Sequence, residues 1–398
     1  MADKPTDVAF EVEMLPAGQG DCILVTAPGP QGDFVILVDT GNGPQTLAAL
    51  KARLLRIPVD PVSRRRRVDL FIITHIDDDH IRHAVALLND ESLELDFGDI
   101  WFNGFYEARA DVIDVESMKQ ADILSKRLRD PSRPLPHNLA FNGGPVQVPS
   151  LPGERQTPMK TSSPPSLAQG AVLPVDLGTG APDVLLLSPL PVDLRGLGED
   201  WDSLVQSGLQ TTDESALVAE ADERTPVPTS ADELKDLADS SFEPDETREN
   251  ICSIVVLLTS QGRRLLLTGD GHPVVYEPAL AHVKESKPGF HLDIVKVAHH
   301  GSADNTTAAL KQYGATAYLI STNGKLHEHP DSEAVARLIV DAESVPTFFF
   351  NFPTARVKAW EALAARLKGF EVVRPSEGAA GMSVQILADG TVRQVTSS

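Results

Sequence analysis

Cysteine is scarce: Cys22 and Cys252 are the only two in 398 residues, far apart and in no metal-type spacing. That excludes a disulfide-stapled secreted domain and a zinc finger, and fits a reducing compartment. Long apolar runs are lacking too. A stretch such as Ile251 to Leu258 falls far short of the ~20 residues that span a bilayer. The start, Met1 to Asp7, with Lys4 offset by two aspartates, lacks the basic start and the apolar stretch of a signal peptide. The expectation is a soluble, cytoplasmic protein that meets no membrane. Positive charge is also in short supply, with 35 Lys and Arg against 57 Asp and Glu, a formal net charge of -22. A protein that coats nucleic acid non-specifically would be basic. Bound divalent cations can reverse the sign locally, so a phosphate-containing substrate stays admissible.

What is present falls into three zones, read as one domain over 1–398 with layered α/β character. The first, 8–104, carries strand-like runs at Val8 to Leu15, Cys22 to Val25, Phe34 to Val38 and Asp69 to Thr74. Leu47, Leu50 and Leu54 share a face of a predicted helix over 44–56. The middle zone, 105–249, is rich in Pro, Gly and Ser and then acidic, with one clear strand at Val184 to Ser188. It reads as an insertion, a candidate docking surface for a protein partner. From 250 to 398 the pattern tightens: a hairpin about Ser260-Gln261-Gly262, strands at 293–297 and 317–320, and helices at 306–313 and 332–341. A last hairpin turns on Asp389-Gly390.

The chemistry concentrates in Thr74-His75-Ile76-Asp77-Asp78-Asp79-His80, after a buried-type strand and before an expected helix over 81–88. Two imidazoles and three carboxylates packed this closely repel and pay for desolvation unless a divalent cation joins them. Capping of a helix N-terminus explains Asp78 well and the others poorly. His75 and Asp77 can face one centre, Asp79 and His80 a neighbouring one. A second apolar strand ends in Gly269-Asp270, whose carboxylate can bridge two metals. A third runs into His299-His300-Gly301-Ser302. Adjacent histidines diverge on a strand, which leaves one as a ligand and the other to orient it or contact substrate. Gly301 and Ser302 lead toward free helix N–H groups able to hold an anionic oxygen. His329 follows in His327-Glu328-His329-Pro330, where ordinary loop histidines are an equal reading. The run Arg64 to Arg67 reads as a solvated loop, and Trp101, Trp201 and Trp360 as packing residues.

Taken in order, Gly18-Gln19-Gly20-Asp21, Val38-Asp39-Thr40-Gly41, the Thr74 to Ile81 loop, Asn250 to Ser253, Thr268-Gly269-Asp270, His299 to Ser302 and His329-Pro330 resemble the metallo-β-lactamase superfamily. More narrowly, they are similar to its branch containing the hydrolase domain of ComEC-type DNA-uptake proteins. The resemblance implies a four-layer αββα sandwich and a site for two divalent metal ions. It implies His75, Asp77, Asp79, His80, Asp270 and His299 as metal ligands, with His300 the rival of His299. Asp77 stands where many members have histidine, and the family's middle histidine has no counterpart, Asn250 and Ser253 occupying that region. Such an oxygen-rich set suits Mn²⁺ or Mg²⁺ and still admits Zn²⁺. Arg82-His83 departs from the branch's glycines, either crowding a metal position or offering a cation to a phosphate. No ComEC-type membrane channel is present, so the uptake role does not transfer.

The expected chemistry is hydrolysis of a phosphodiester, in nucleic acid or a nucleotide, by a metal-activated water. Asp79 and Asp270 position the water, and His300 or His329 protonates the leaving oxygen. Ser302, Gly301 and Asn250 are the expected substrate contacts. Two other readings compete: hydrolysis of a small ester, thioester or lactam, and a low-activity partner protein in a bacterial defence-type module.

Overall fold

Strands whose two faces are both covered are apolar at every position, and those that read so here form the middle of two sheets. The structure, a computed structural model, describes residues 7–30, 32–108, 120–150, 171–207, 225–245 and 247–395. The first sheet has the order β15-β14-β1-β2-β3-β4-β5. Its members are β1 (Val8–Met14), β2 (Ile23–Ala27), β3 (Phe34–Val38), β4 (Arg66–Ile72), β5 (Leu95–Trp101), β14 (Met382–Leu387) and β15 (Val392–Gln394). The second runs β13-β12-β11-β10-β9-β8-β7-β6. It comprises β6 (Leu173–Val175), β7 (Asp183–Ser188), β8 (Val255–Ser260), β9 (Arg263–Leu267), β10 (Ile294–Lys296), β11 (Ala317–Ile320), β12 (Thr347–Phe350) and β13 (Glu371–Val373). Within the first sheet β3, β4 and β5 are parallel; within the second, β9 to β13 are.

The two-residue period of each strand separates three apolar layers. Ile23, Val25, Ile36, Val38, Leu70 and Ile72 face Val256, Leu258, Leu265, Leu267 and Ile294 between the sheets. Their neighbours Leu24, Leu37, Val68 and Phe71 turn outward and pack against α1 (Thr46–Leu54), α2 (Asp78–Ile81), α3 (Ala84–Leu88) and the helix Gln120–Leu128. On the far side Val255, Leu257, Leu266 and Val295 meet the helices Pro273–Ser286, Ser332–Ile339 and Ala355–Leu367. Three cores between four layers make an αββα sandwich. The middle zone enters this architecture directly, since β7 pairs with β8 and adds β6 at the sheet's edge. Its stretches 109–119, 151–170 and 208–224 lie outside the described residues. Among the described residues, no helix is long and apolar enough to cross a membrane.

Several expected elements differ in detail. The helix expected over 81–88 is two short pieces, because the His83 N–H bonds Thr40 Oγ1 at 3.2 Å and leaves the helical ladder. The 306–313 segment is a 3₁₀ helix, Ala308–Tyr313. The hairpin after β8 turns with Gln261 and Gly262 both at positive φ, 49° and 78°, as a tight two-residue connection demands. Trp101 and Trp360 are fully buried; the Trp201 side chain lies outside the described residues.

Candidate metal centre

The parallel strands of both sheets deliver their C-terminal ends to one edge of the sandwich. β4 runs into the loop carrying His75, Asp77, Asp79 and His80, β9 into Asp270, and β10 into His299 and His300. Close backbone approach makes that convergence possible. A Cβ on Gly20 would stand 1.8 Å from the Asp79 carbonyl oxygen, so glycine is required there. Gly269, at φ 52°, lies directly against Thr74.

Each imidazole is oriented through its Nδ1. Asp39 Oδ2 accepts from His80 Nδ1 at 2.8 Å and from Thr74 Oγ1 at 2.7 Å, while Asp39 Oδ1 accepts from the Thr74 N–H. The Thr74 hydroxyl, having given its proton to Asp39, accepts from His75 Nδ1 at 3.0 Å. His300 Nδ1 donates to the Ser321 carbonyl at 2.9 Å. These acceptors fix the proton on Nδ1 and leave a lone pair on Nε2. The Nε2 atoms of His75, His80 and His300 are buried without a hydrogen-bond partner, and so is Asp270 Oδ1.

These orphaned atoms face one another. Asp270 Oδ2 lies 3.3 Å from His80 Nε2, 3.3 Å from His300 Nε2 and 3.9 Å from His75 Nε2. Asp79 Oδ2 is 3.5 Å from His300 Nε2 and 3.9 Å from His80 Nε2, and Asp77 Oδ2 is 3.6 Å from His75 Nε2. Such separations exceed hydrogen-bond length. They approach the ~3.3 Å edge between two ligands held about 2.0–2.1 Å from one tetrahedral ion. Among the described residues four overlapping groups of donors result: His75–His80–Asp270, Asp79–His80–His300, and two that bring in Asp21, Asp21–Asp270–His300 and Asp21–Asp39–His80. The chemistry of the donor set fits divalent cations: neutral imidazole lone pairs and carboxylates, each imidazole with its outer nitrogen engaged.

Electrostatics carry the same demand for positive charge. Burial alone would raise the Asp270 carboxyl, yet His300, His80 and His299 hold it well below the usual range. Burial alone would lower His300, yet Asp270, Asp79 and Asp21 push it up to about 9. His80, buried likewise, is raised by Asp270, Asp39 and Asp79. The backbone is strained in the same place. Asp39, His299 and His300 are left-handed, at φ 56°, 45° and 55°, each costing about 1 kcal/mol or more in a residue other than glycine.

Of the two late histidines, the rival His300 lies nearer the middle of the donor cluster and His299 at its margin. His300, not His299, stands beside Asp79 and His80, because the left-handed turn rotates it under Asp270. His299 Nε2 is 3.9 Å from Asp270 and the ring is 28% exposed. His329 packs against the His299 ring at 5.5 Å. Burial lowers its pKa to about 4, so near neutral pH it is no imidazolium acid of the expected kind. The N–H groups that follow Gly301 and Ser302, expected to be free for an anionic oxygen, are engaged. The Ala303 N–H is bonded to Asp331 Oδ2 and the Asp304 N–H to Ser302 Oγ, while Gly301 lies against Pro330. Asn250 lines the wall beside His299, its Nδ2 donating to Asp245 Oδ2 at 2.6 Å.

Arg82 pairs with Asp78 and His83 contacts the Gly43 carbonyl, so neither reaches between the metal-ligand candidates. The Arg64–Arg67 run opens β4, about 20 Å of strand away from the loop that closes it. Arg66 and Arg67 are paired with Glu94, Asp69 and Asp96, and Arg65 bonds the Leu95 carbonyl. Asp39 and Thr74 stand in stretches the resemblance already marks, but their part as the acceptor and relay behind His75 and His80 carries no signal in the sequence. Nor does Lys296, whose Nζ lies 2.7 Å from Asp21 with both side chains buried.

Two facing sheets with helices outside and a histidine–aspartate centre at one edge define the metallo-β-lactamase fold class. Residues 15–91, which span β2 to α3 and include Asp39 and the His75–His80 loop, match the sequence profile of the Metallo-beta-lactamase superfamily. The match is to that superfamily over these residues, less than half of the chain. Similar solved structures include the metallo-β-lactamase fold protein YhfI from Bacillus subtilis. It is 11% identical with a TM-score of 0.38, over 94% of this chain and 98% of that one. Another is a point mutant of the CmlA β-hydroxylase, 13% identical with a TM-score of 0.35, over 96% of this chain and 54% of the other. The chain thus spans about half the length of that second protein. No curated protein matches.

Proposed function

We propose that the chain is a metal-dependent hydrolase of phosphodiester bonds, acting on a small substrate such as a nucleotide. The observation that carries the reading is the convergence of three partnerless Nε2 atoms on the buried Asp270, each imidazole locked from behind. Asp79, His80, His300 and Asp270 would hold one divalent cation, and His75, Asp77 and Asp270 a second. When bound, such cations supply Lewis-acid polarisation of the scissile group and acidify water. Carboxylate-rich donor sets favour Mn²⁺ or Mg²⁺ with Zn²⁺ also accommodated, and hard cations pair well with phosphoryl oxygens. The protein's own groups do the rest. Asp79, a quarter exposed, faces the open side and can orient an incoming water. His329, kept neutral, can donate one N–H to a substrate oxygen without carrying charge.

The small substrate follows from charge. Asp77 and Asp79 face the open side, and the Arg64–Arg67 run lies at the other end of β4 with carboxylate partners. A long polyanion would gain few phosphate contacts from such a surface. The same acidity supports a second reading, hydrolysis of an uncharged ester, thioester or lactam. The test is turnover of bis-p-nitrophenyl phosphate, cyclic nucleotides and p-nitrophenyl acetate by Mn²⁺- or Zn²⁺-loaded protein. Phosphodiester turnover lost in Asp79→Ala and His80→Ala supports the first reading. Ester turnover alone replaces it with the second, and full activity in both variants refutes the metal-centred mechanism.

A further inference from the structure

Counting donors leaves the two cation positions unequal. The His80 side has two imidazoles and two carboxylates, whereas the His75 side has one imidazole, the half-exposed Asp77 and a share of Asp270. His299 stands beside that poorer position, its Nε2 3.9 Å from Asp270 Oδ2, the same separation His75 shows.

Its other nitrogen is tied down by a chain of hydrogen bonds. Asn305 Oδ1 lies 2.8 Å from His299 Nδ1. The Asn305 amide is set by its Nδ2, which donates to the Asp270 carbonyl and to Asp245 Oδ2, both at 3.2 Å. Oδ1 is therefore the acceptor, Nδ1 of His299 carries the proton, and Nε2 presents a lone pair to the centre. Asp245 Oδ2 is itself 3.7 Å from His299 Nδ1 and adds negative charge behind the ring. That charge makes Nε2 a better donor to a cation.

Asp245 comes from the return of the acidic middle zone, and that return is fastened to the loop after His300. The Asp245 N–H donates to the Asp304 carbonyl at 3.1 Å. Arg337 clamps the same two segments, bonding the Ala303 and Thr306 carbonyls on one side and Ser240 Oγ and the Ser241 carbonyl on the other. The left-handed pair His299-His300 completes the arrangement. It lets neighbouring residues aim into one centre from two sides, which an extended strand forbids.

We propose that His299, a ligand the resemblance already implies, serves the cation held by His75 and Asp77 in place of the family's missing middle histidine, and that Asp245 acts through Asn305 as its positioning residue. The middle zone thereby controls filling of one position while leaving the His80 position alone. This rests on the metal reading of the centre and assigns each of the paired histidines to a different ion.

Equilibrium dialysis and calorimetric titration of the full chain with Zn²⁺ or Mn²⁺ alone provide the test. Wild type should bind two ions, and His299→Ala one. Asp245→Asn and Asn305→Ala should still bind two, with the affinity of one position reduced about 10–100-fold and the other unchanged. Co²⁺-loaded His299→Cys should gain a thiolate-to-cobalt band in the near ultraviolet that the wild type lacks, a readout that survives if the alanine variant unfolds. Two ions bound with wild-type affinities in His299→Ala, or no new band in the cysteine variant, overturns the assignment. Wild type that binds no ion overturns the metal reading itself, and so separates the two failures.

Discussion

Replacing Asp39 by asparagine tests the orientation of the centre without touching a proposed ligand. The carboxylate is fully buried and accepts three hydrogen bonds, from the Thr74 N–H, Thr74 Oγ1 and His80 Nδ1. In Asp39→Asn the amide oxygen can keep the Thr74 N–H, which places the NH₂ at the former Oδ2 position. There it meets the Thr74 hydroxyl and the His80 ring, both of which had been donating. To accept from it, His80 must give up its Nδ1 proton and carry it on Nε2, where the lone pair for a cation had been. The Thr74 hydroxyl, now an acceptor toward the new amide, points its own proton at His75 Nδ1 and turns that ring as well. Loss of an outer partner of this kind lowers metal affinity about 10–100-fold, or roughly 1.4–2.7 kcal/mol. The mismatched donors cost the fold about 1–3 kcal/mol. Titration with Zn²⁺ measures the first quantity and urea unfolding of the metal-free protein the second. Wild-type affinity in a folded Asp39→Asn protein refutes the tautomer argument, and with it the claim that Asp39 locks the centre.

Two further perturbations probe the frame around the site. Burial raises the Glu277 carboxyl from its ordinary 4.5 to about 7, against the Thr307 hydroxyl that donates to it and lowers it. Between those pH values the folded chain holds a proton that the unfolded chain releases, so stability falls as pH rises through the window. The loss is at most about 3 kcal/mol, full stability being kept below about pH 4.5. Glu277→Gln should flatten that fall in urea melts at pH 5 and pH 8, and an unchanged slope refutes it. Lys296→Met leaves the Asp21 carboxylate buried without its ammonium and should cost about 3–5 kcal/mol. Adding Asp21→Leu should recover much of the loss; a single variant as stable as wild type would show that the pair carries no such weight.

What the chain discloses in advance is what is local. The fully covered strands read as apolar runs, and His75 to His80 declares itself because five ionisable residues crowd six positions at a strand end. Asp245 and Asn305 are invisible on that scale. They lie 54 and 6 residues from His299, in polar stretches that resemble solvated loop. The placing of His299 and His300 turns on two φ angles, and a reading that assumes strand alternation leaves room for only one of them at the centre. The helix Pro273–Ser286 also hides, since Pro278 inside it is ordinarily a stop signal. The role of Asp39 hides as well, although its motif is marked, because it depends on Thr74 and His80, 35 and 41 residues onward.

Residues that break local rules occur in several places, Glu94, Asn138 and Lys368 in left-handed backbone and Tyr276 Oη and Trp360 Nε1 without partners among them, but one group of them is gathered at a single edge. Asp39, His299 and His300 in left-handed backbone, the buried Asp21–Lys296 pair and the partnerless Nε2 atoms all lie at the edge where the parallel strands of both sheets end. Within the sheets alternation and turn chemistry agree: β2, β3 and β4 alternate between two apolar layers, and the Asp389-Gly390 turn sits where it is expected. Strain and unmatched polarity persist only where surrounding structure over-determines them, and three apolar cores flank this edge. A structural explanation would have to account for each violation separately. A shared cation explains the partnerless donors, the like charges and the left-handed turn that brings the last imidazoles to them.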